Sequence, residues 1–500
     1  MASPLARGLS ELEKSRPAYE KAKDVYDGKI GEVFFGSALD GLIASVGDSF
    51  RVNFAAIPVD KLVKRIAFGG AEVVGSEALT AELARALDEA KIEREIRTAL
   101  KWAAVYGDAY LVAWPGANAD ELATPDVYYN SPLVMRAVYD EENPRLVLFF
   151  VKAFRVGKRT RANLYFPDRI ERYISRTDTT KDKEAINYNA DEFERYIDAD
   201  SFENADDDEP ESDVANPWGR FPVFHLKHDD NGESHGVPAH LKAYGPQDAI
   251  TKIVVTQMSD FEGQAFPIRY ALERADTDSD LGEDFDDDED VEVGSRRPKL
   301  RFANGTVTTL QNIEKVGEFT PPSAENFLAP AEFYIRAIGV LTDTPAYEFD
   351  LKGDQPSGES RKRADAPIQA HAREYTEENT SAIESLLSLV LSMTGSADQA
   401  VKVSWQTAEV ASDSDSWTVV GSKIANGVPV RVALAEAGYD AETIAEWYPE
   451  GAPAYTPAGL SALAESLAKI GNAVTLGTID RSQVVALLPD LFAAAQVETE

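Results

Sequence analysis

Four of the five histidines, His225, His228, His235 and His240, fall in one short segment together with Asp229, Asp230 and Glu233. Imidazole and carboxylate together suit zinc or iron, which makes a metal-dependent hydrolase one reading of the segment. The spacings match no established ligand pattern, and the residues read as a strand end followed by a loop. A histidine-rich turn therefore stands beside the metal reading, and no metal or cofactor is assigned. The run Asp276-Thr-Asp278-Ser-Asp280 begins like a calcium loop, but Leu281 takes the place of the required glycine and Asp287 that of the bidentate glutamate. A solvated acidic loop accounts for it better. No Gly-x-Ser-x-Gly elbow, P-loop Gly-Lys-Ser/Thr or His-Glu-x-x-His occurs. Carboxylates are so abundant that none stands out as half of an acid–base pair, and the chain reads as not an enzyme.

Two basic clusters interrupt the acidity. Arg296-Arg297-Pro-Lys299, with Arg301, follows the acidic run 276–292, and Arg361-Lys362-Arg363 lies at the start of a polar helix. Each could touch phosphates, or pair with neighbouring carboxylates or a protein partner. Residues 343–358 form an irregular stretch between two helix-like segments, and loops of that length are uncommon in compact domains unless functional or disordered. A plain surface connection is the ordinary alternative. The stretch has one base, Lys352, among Glu348, Asp350 and Asp354, with Gln355 beside them.

The elements that must position these residues change in kind along the chain. Residues 10–26 are charged and helical, and 57–66 put apolar residues at helical spacing after Pro58. Residues 80–105 continue with Leu83, Leu87, Ile92, Ile96, Leu100 and Ala104 in one stripe, so the first hundred residues are predicted to be mostly helical. From Ala109 the period changes. Residues 110–114, 137–139, 146–154 and 163–166 are rich in aromatic and β-branched types, with Glu142-Asn143-Pro144 as a turn, which predicts an antiparallel meander. An acidic loop at 198–213 precedes a turn and short strand, Asn216-Pro-Trp-Gly-Arg-Phe-Pro-Val-Phe-His225. Helices are predicted at 245–261, at 323–341 capped by Ser323, and over the whole of 358–393, where Ile368, Ala372, Tyr375, Ile383, Leu386 and Val390 share one side and Pro367 should introduce a kink. Short strands are expected within 300–316 and at 401–405, and short amphipathic helices after Ser416.

Five hundred residues exceed one ordinary core, which predicts two to four domains or a large composite subunit. An apolar content of 44% is enough to build such cores. The formal charge of −36 excludes a surface that wraps nucleic acid by neutralising phosphates, so DNA that touches this chain is not tightly held. Acid spread beyond the obvious runs points to a surface adapted to molar salt as a partial cause, with a halophilic host as the corresponding expectation. There is no cysteine, hence no disulfide framework, thiol nucleophile or zinc ribbon. The amino terminus lacks the pattern of a secretory signal, and the longest apolar stretches are too short or interrupted to span a bilayer, so an intracellular or particle-borne protein with no membrane partner is expected.

Tyr26-Asp-Gly28, the Val59-Asp-Lys-Leu-Val helix, the aromatic meander, the Asn216-Pro-Trp-Gly-Arg-Phe-Pro-Val segment, the Gly245-Pro helix, a variable β insert, the Ser323 helix and Pro356-Ser-Gly-Glu359 before the long helix follow one another in a telling order. Over about residues 15–410 this order resembles the portal proteins of long-tailed double-stranded DNA viruses. The resemblance implies an α+β, mainly helical portal fold, with a wing at 1–243 that holds the β meander. Next come a stem helix at 244–264, a clip with a small β unit at 265–322, and a second stem helix at 323–342. A tunnel loop at 343–358, a further wing part at 359–410 and a crown at 411–500 complete it.

It also implies a dodecameric ring at the unique capsid vertex and head–tail junction of the virion, assembled in the host cytoplasm, as a channel for genome packaging and ejection. Glu348, Lys352, Asp354 and Gln355 would then meet double-stranded DNA in transit. Arg296, Arg297 and Lys299 would dock the terminase large subunit and later the head–tail adaptor, while the major capsid protein and a scaffolding protein would be further partners. Another virion structural protein, a capsid or adaptor subunit, is the alternative, with the histidine-based hydrolase and an acidic cytosolic binding module behind it.

Overall fold

A computed structural model describes residues 3–29, 52–115, 125–176, 186–197, 213–229, 232–265, 269–273, 313–318, 325–349, 358–396 and 399–407, and short stretches between 419 and 469. The chain divides into two compact units, Met1–Thr407 and Ala408–Glu500.

The first unit opens with α1 (Pro4–Tyr26), whose first turn is capped by the Ser3 hydroxyl accepting the Ala6 N–H at 3.2 Å. Leu5, Leu9 and Leu12 recur at helical spacing and are buried against Phe149, Val151 and Leu164. After α2 (Ala56–Val63) the chain departs from the helical expectation, because Ile66–Val73 forms a strand, β1. The expected single stripe over 80–105 is two helices, α3 (Glu77–Glu89) and α4 (Ile92–Tyr106), parted at Lys91, whose φ of 51° is left-handed. The break lets Leu83 of α3 and Ile92, Ile96 and Leu100 of α4 enter the same core.

The meander follows as β2 (Asp108–Pro115), β3 (Pro125–Asn130), β4 (Met135–Tyr139), β5 (Val147–Val156), β6 (Arg159–Tyr165), β7 (Arg169–Ser175), β8 (Phe193–Arg195), β9 (Val214–Ala215) and β10 (Val223–Lys227). All pairings are antiparallel, but they build two sheets rather than one: β10–β2–β3, and β4–β5–β6–β7–β8 with β9 on β7. Asp140 makes the predicted turn between β4 and β5, its carboxylate accepting the Glu142 and Asn143 N–H groups at 2.8 and 3.0 Å. Tyr110, Val112 and Val223 of the smaller sheet join Met135, Ala137, Phe150, Tyr165 and Ile170 of the larger in one buried cluster.

Helix α5 (Tyr244–Ala265) leads to an antiparallel pair, β11 (Arg269–Glu273) with β12 (Ile313–Glu318), and α6 (Glu325–Leu341) leads away from it. Ile250 and Val254 of α5 pack with Tyr334, Ile335 and Ile338 of α6. Helix α7 (Gly358–Met393) runs unbroken over the predicted range with Pro367 inside it. Every residue of its predicted stripe, Ile368, Ala372, Tyr375, Ile383, Leu386 and Val390, is buried. Each such large apolar side chain contributes roughly 1.5–3 kcal/mol on leaving water, which outweighs the weak intrinsic propensity of a helix interspersed with Ser, Thr and Asn. Strand β13 (Val401–Thr407) then pairs antiparallel with β1. Local periodicity around Ile66 missed β1 because its partner lies at the far end of the unit. Among the described residues no helix is long and apolar enough to cross a membrane.

The second unit contains α8 (Val430–Glu436), with Val430, Ala433 and Leu434 buried. The acidic residues at 198–212 and 276–292 and the expected strand residues at 300–312 lie outside the described part of the chain, as does Ser323.

One close approach fixes how the loop after β10 meets β2. Gly107, between α4 and β2, has φ 97°, and a Cβ there would sit 2.6 Å from the Gly236 carbonyl oxygen. Its own carbonyl accepts the His228 N–H at 2.9 Å. Gly107→Ala combines a left-handed strain with a backbone clash that no side chain can relieve. A loss on the order of 3 kcal/mol is expected, readable as a lowered denaturant midpoint with an unchanged slope.

Candidate functional site

The backbone approach at Gly107 brings a polar cluster together around Asp108, the first residue of β2 and fully buried. Its Oδ1 meets His225 Nε2 at 2.7 Å and accepts the Gly236 N–H at 2.9 Å. Its Oδ2 accepts the Tyr19 hydroxyl of α1 at 2.5 Å, and His235 Nδ1 lies 3.5 Å from the same oxygen. A second ring of contacts orients these groups. The Arg136 guanidinium donates to the Tyr19 oxygen at 2.8 Å, the Tyr139 hydroxyl meets His225 Nδ1 at 2.8 Å, and the His225 ring stacks on Tyr110 with centroids 4.7 Å apart.

Burial alone would raise the Asp108 pKa. The hydrogen bond of His225, its charge when protonated, and the contacts of His235 outweigh it and hold the carboxyl well below the usual range. Burial pushes the His225 imidazole itself down, so the hydrogen bond is the part that persists at neutral pH. The same burial, with Asp108 beside it, raises the Tyr19 pKa well above that of a free phenol, so its O–H remains a donor.

Asp108, His225 and His235 each offer a ligand atom, all within 4.8 Å of one another, the one such group among the described residues. Their chemistry suits a first-row transition metal. Yet both Asp108 oxygens and His225 Nε2 already have hydrogen-bond partners within the chain. What the arrangement accomplishes as it stands is to tie α1, β2, β4, β10 and the following loop at one buried point.

The structure separates the remaining histidines. Strand alternation turns His228 away from His225, and its Nδ1 donates to the Val237 carbonyl at 2.7 Å while its Nε2 meets His371 Nε2 of α7 at 3.0 Å. His240 Nε2 donates to the Ala22 carbonyl at 3.0 Å. Burial, and for His228 the neighbouring His371, pushes these imidazoles down, His228 to about 3 and His240 to about 4. Asp229 is a left-handed turn residue and Glu233 accepts Lys227 Nζ at its backbone carbonyl at 3.3 Å, whereas Asp230 lies outside the described residues.

A second cluster sits where the 343–358 stretch begins. The stretch is not wholly irregular, since Ala346–Phe349 makes a 3-10 turn. Phe349 inserts among Phe54, Ala243, Ile250 and Ile338. Glu348, only 11% exposed at its side chain, pairs with Lys61 and lies 3.3 Å from Arg65, which reaches Asp365 of α7 at 3.0 Å. Tyr347 donates to Asp365 as well, and the Arg361 guanidinium lies 5.2 Å from the Tyr347 ring centroid. Of the expected channel residues, Glu348 thus belongs to an ion network joining α2, the turn and α7, while Lys352, Asp354 and Gln355 lie outside the described residues. So do Arg296, Arg297 and Lys299. Asp108, Arg65 and Asp365 were not singled out from sequence, because one charge beside an apolar strand or within a polar helix start carries no motif.

The family model of phage portal proteins, SPP1 Gp6-like, matches residues 9–447. The chain belongs to that family. It is a portal-type structural protein of the virion, and both polar clusters sit inside the matched span of this portal chain.

Three solved structures are similar to it. A chain from the neck of an empty gene transfer agent (GTA) particle computed with C6 symmetry is 13% identical, with a TM-score of 0.43 over 82% of this portal chain and 95% of that one. One from the neck of a native GTA particle computed with C12 symmetry is 12% identical, with a TM-score of 0.42 over 86% and 99%. A chain from the virion of a native gene transfer agent particle is 11% identical, with a TM-score of 0.33 over 88% and 92%. No curated protein matches the portal chain.

The buried imidazoles make stability pH-dependent. His228 and His240 sit below the ordinary value of 6.5, so below that pH the unfolded chain takes up protons that the folded chain refuses. Their contribution is intact above pH 6.5 and is lost as the pH falls toward about 4 for His240 and about 3 for His228. The loss runs at about 1.4 kcal/mol per pH unit for each. Asp108 acts in a lower window, since its depressed pKa withdraws stability only below the ordinary carboxylate range of about 4. Denaturant midpoints taken at fixed salt from pH 7.5 to 5.0 are expected to fall, and His228→Gln should flatten the slope.

Proposed function

We propose that this portal protein forms a closed homo-oligomeric ring, a dodecamer, at the unique capsid vertex. The ring is the channel for genome packaging and ejection and the docking site for the terminase large subunit and the head–tail adaptor. The observation that carries this reading is the portal-family match over residues 9–447. Two features of the chain support the finer assignment. The path from α5 through the β11–β12 pair and back along α6 has the form of two stem helices around a clip, and α6 then delivers the chain to the 343–358 loop. Both sides of the loop are held, through Glu348 and Phe349 before it and Asp365 after it, so a contact made by Lys352 would be carried by a fixed base.

The charge fits passage rather than grip. Each phosphate neutralised by a fixed cation releases counterions and adds affinity, so a channel strongly lined with Lys and Arg would hold the genome. A net charge of −36, with Lys352 the single base among Glu348, Asp350 and Asp354, gives brief, sliding contacts. Arg296, Arg297 and Lys299 would meet the motor and later the adaptor, with the major capsid protein and a scaffolding protein touching the outer part of the ring.

Negative-stain electron microscopy of the purified chain tests the core of the proposal. Rings with a central hole are expected, and a compact monomer at high protein concentration would refute it. The finer roles separate in particles. Deleting residues 352–355 should leave rings intact and lower genome filling or retention, whereas Arg296→Ala, Arg297→Ala and Lys299→Ala together should weaken motor or adaptor docking. Normal filling in the first case, or normal docking in the second, removes that assignment.

A further inference from the structure

The large sheet carries two cations that no carboxylate answers. Lys152 of β5 stands opposite Asn163 of β6, and the neighbouring pair on the same face is Phe154 opposite Arg161. Alternation places them on the face whose other half, Phe150 and Tyr165, is buried against the smaller sheet. Beyond that cover the Lys152 ammonium lies 5.2 Å from the Tyr128 ring centroid and 5.3 Å from that of Phe154. The Arg161 guanidinium lies 3.8 Å over Tyr196 and 5.9 Å from Phe154. The result is a half-buried cationic strip walled by aromatic rings.

Burial lowers the Lys152 pKa with nothing acidic to offset it, and Arg161 Nε is buried without an acceptor. In a chain with 86 acidic residues against 50 Lys and Arg, half-buried cations such as Arg65 and Arg136 have found a carboxylate. Two left bare are therefore a poor arrangement for an isolated subunit.

We propose that this strip is a seam of the ring, where Lys152 and Arg161 receive carboxylates from an acidic face of a second copy of the chain. The proposal rests on the ring reading above and names a surface that makes the ring. Copies that each carry −36 repel one another, so a seam between them needs cations facing carboxylates. A closed ring joins two different patches of the same chain, and this one has acid to spare, for example the exposed Asp88 and Glu89 of α3 or Glu374 and Glu377 of α7. Carboxylates fit the strip better than a phosphate backbone does. Glu194 lies on the same face, paired across β7 and β8 with Ile174, and would repel a polyanion, while three cations, counting Arg172 opposite Asn163, are too few to track a duplex.

The test uses full-length chains labelled with 14N and 15N, mixed before assembly and treated with a zero-length carbodiimide cross-linker. Mixed-isotope peptides joining Lys152 to an aspartate or glutamate are expected. The double variant Lys152→Gln with Arg161→Gln, kept folded by the criterion of an unchanged circular dichroism spectrum, should reduce the ring fraction at a given concentration at least about tenfold. Cross-links of Lys152 confined to one isotope, or variant rings as abundant as those of the parent chain, overturn the seam while leaving the ring reading in place. Variant rings that form normally but lose retention of DNA overturn it in favour of nucleic acid. A parent chain that makes no ring under any condition removes the ring reading, and the seam with it.

Discussion

A carboxylate taken out of water must be met by donors, and Asp108 imposes that requirement on the whole first unit. An unpaired buried charge costs several kcal/mol even after relaxation, so folding is acceptable only in arrangements that deliver enough partners. Here they come from Tyr19 on α1, His225 on β10 and Gly236 beyond it, with Arg136 on β4 supporting Tyr19. Apolar packing tolerates many near-equivalent placements of a helix against a sheet, whereas a converging set of hydrogen bonds tolerates few. The cluster therefore selects one register among those the core would accept. Its histidines serve as donors and stacking surfaces, consistent with a structural family.

The same logic recurs at the base of the 343–358 loop with different chemistry. Arg65 faces Glu348 on one side and Asp365 on the other, and both carboxylates belong to elements that flank the loop. Because Tyr347 also donates to Asp365, the turn before the loop and the helix after it share one anchor. Helix α7 in turn is locked to α4 by Tyr375, whose hydroxyl donates to the Leu100 carbonyl at 2.6 Å, and to β10 by Asn379, which bridges the backbone of Lys227. A displacement of α7 would thus be felt at the loop base and at β10 together. That is the mechanical property a loop working against moving DNA would need from its support.

How much of this was legible beforehand follows the range of the forces involved. Helix α7 was readable to its ends because Ile368 through Val390 repeat at 3.6-residue spacing, a signal contained within the helix itself. The β4–β5 turn was readable from Asn143-Pro144 for the same reason. Strand β1 was not, since Ile66–Val73 becomes a strand only by pairing with Val401–Thr407, and α3 and α4 were merged because a left-handed Lys91 leaves no compositional mark. The histidine segment was noticed for its residue types, but which histidine meets which partner depends on strand alternation and on Gly107, neither of which the count of histidines reveals. Asp108 and Arg65 draw their importance entirely from residues distant in sequence, and single charges among 136 charged residues, 50 basic and 86 acidic, cannot be ranked without those contacts.

The distribution of charge then joins these observations into one constraint on assembly. Exposed ion pairs such as Arg97 with Glu93 or Arg336 with Glu332 contribute little and are screened by salt, so they neither help nor hinder association by much. Cations committed to buried networks, such as Arg65, are spent within the subunit and unavailable to a neighbour. Under the seam reading, contacts between copies would fall to partly buried cations without an internal carboxylate, such as Lys152 and Arg161. A neighbour whose acidic face found no matching cation would meet only like charge, so an acidity that would keep a channel from gripping DNA would also narrow the number of ways in which two copies can meet.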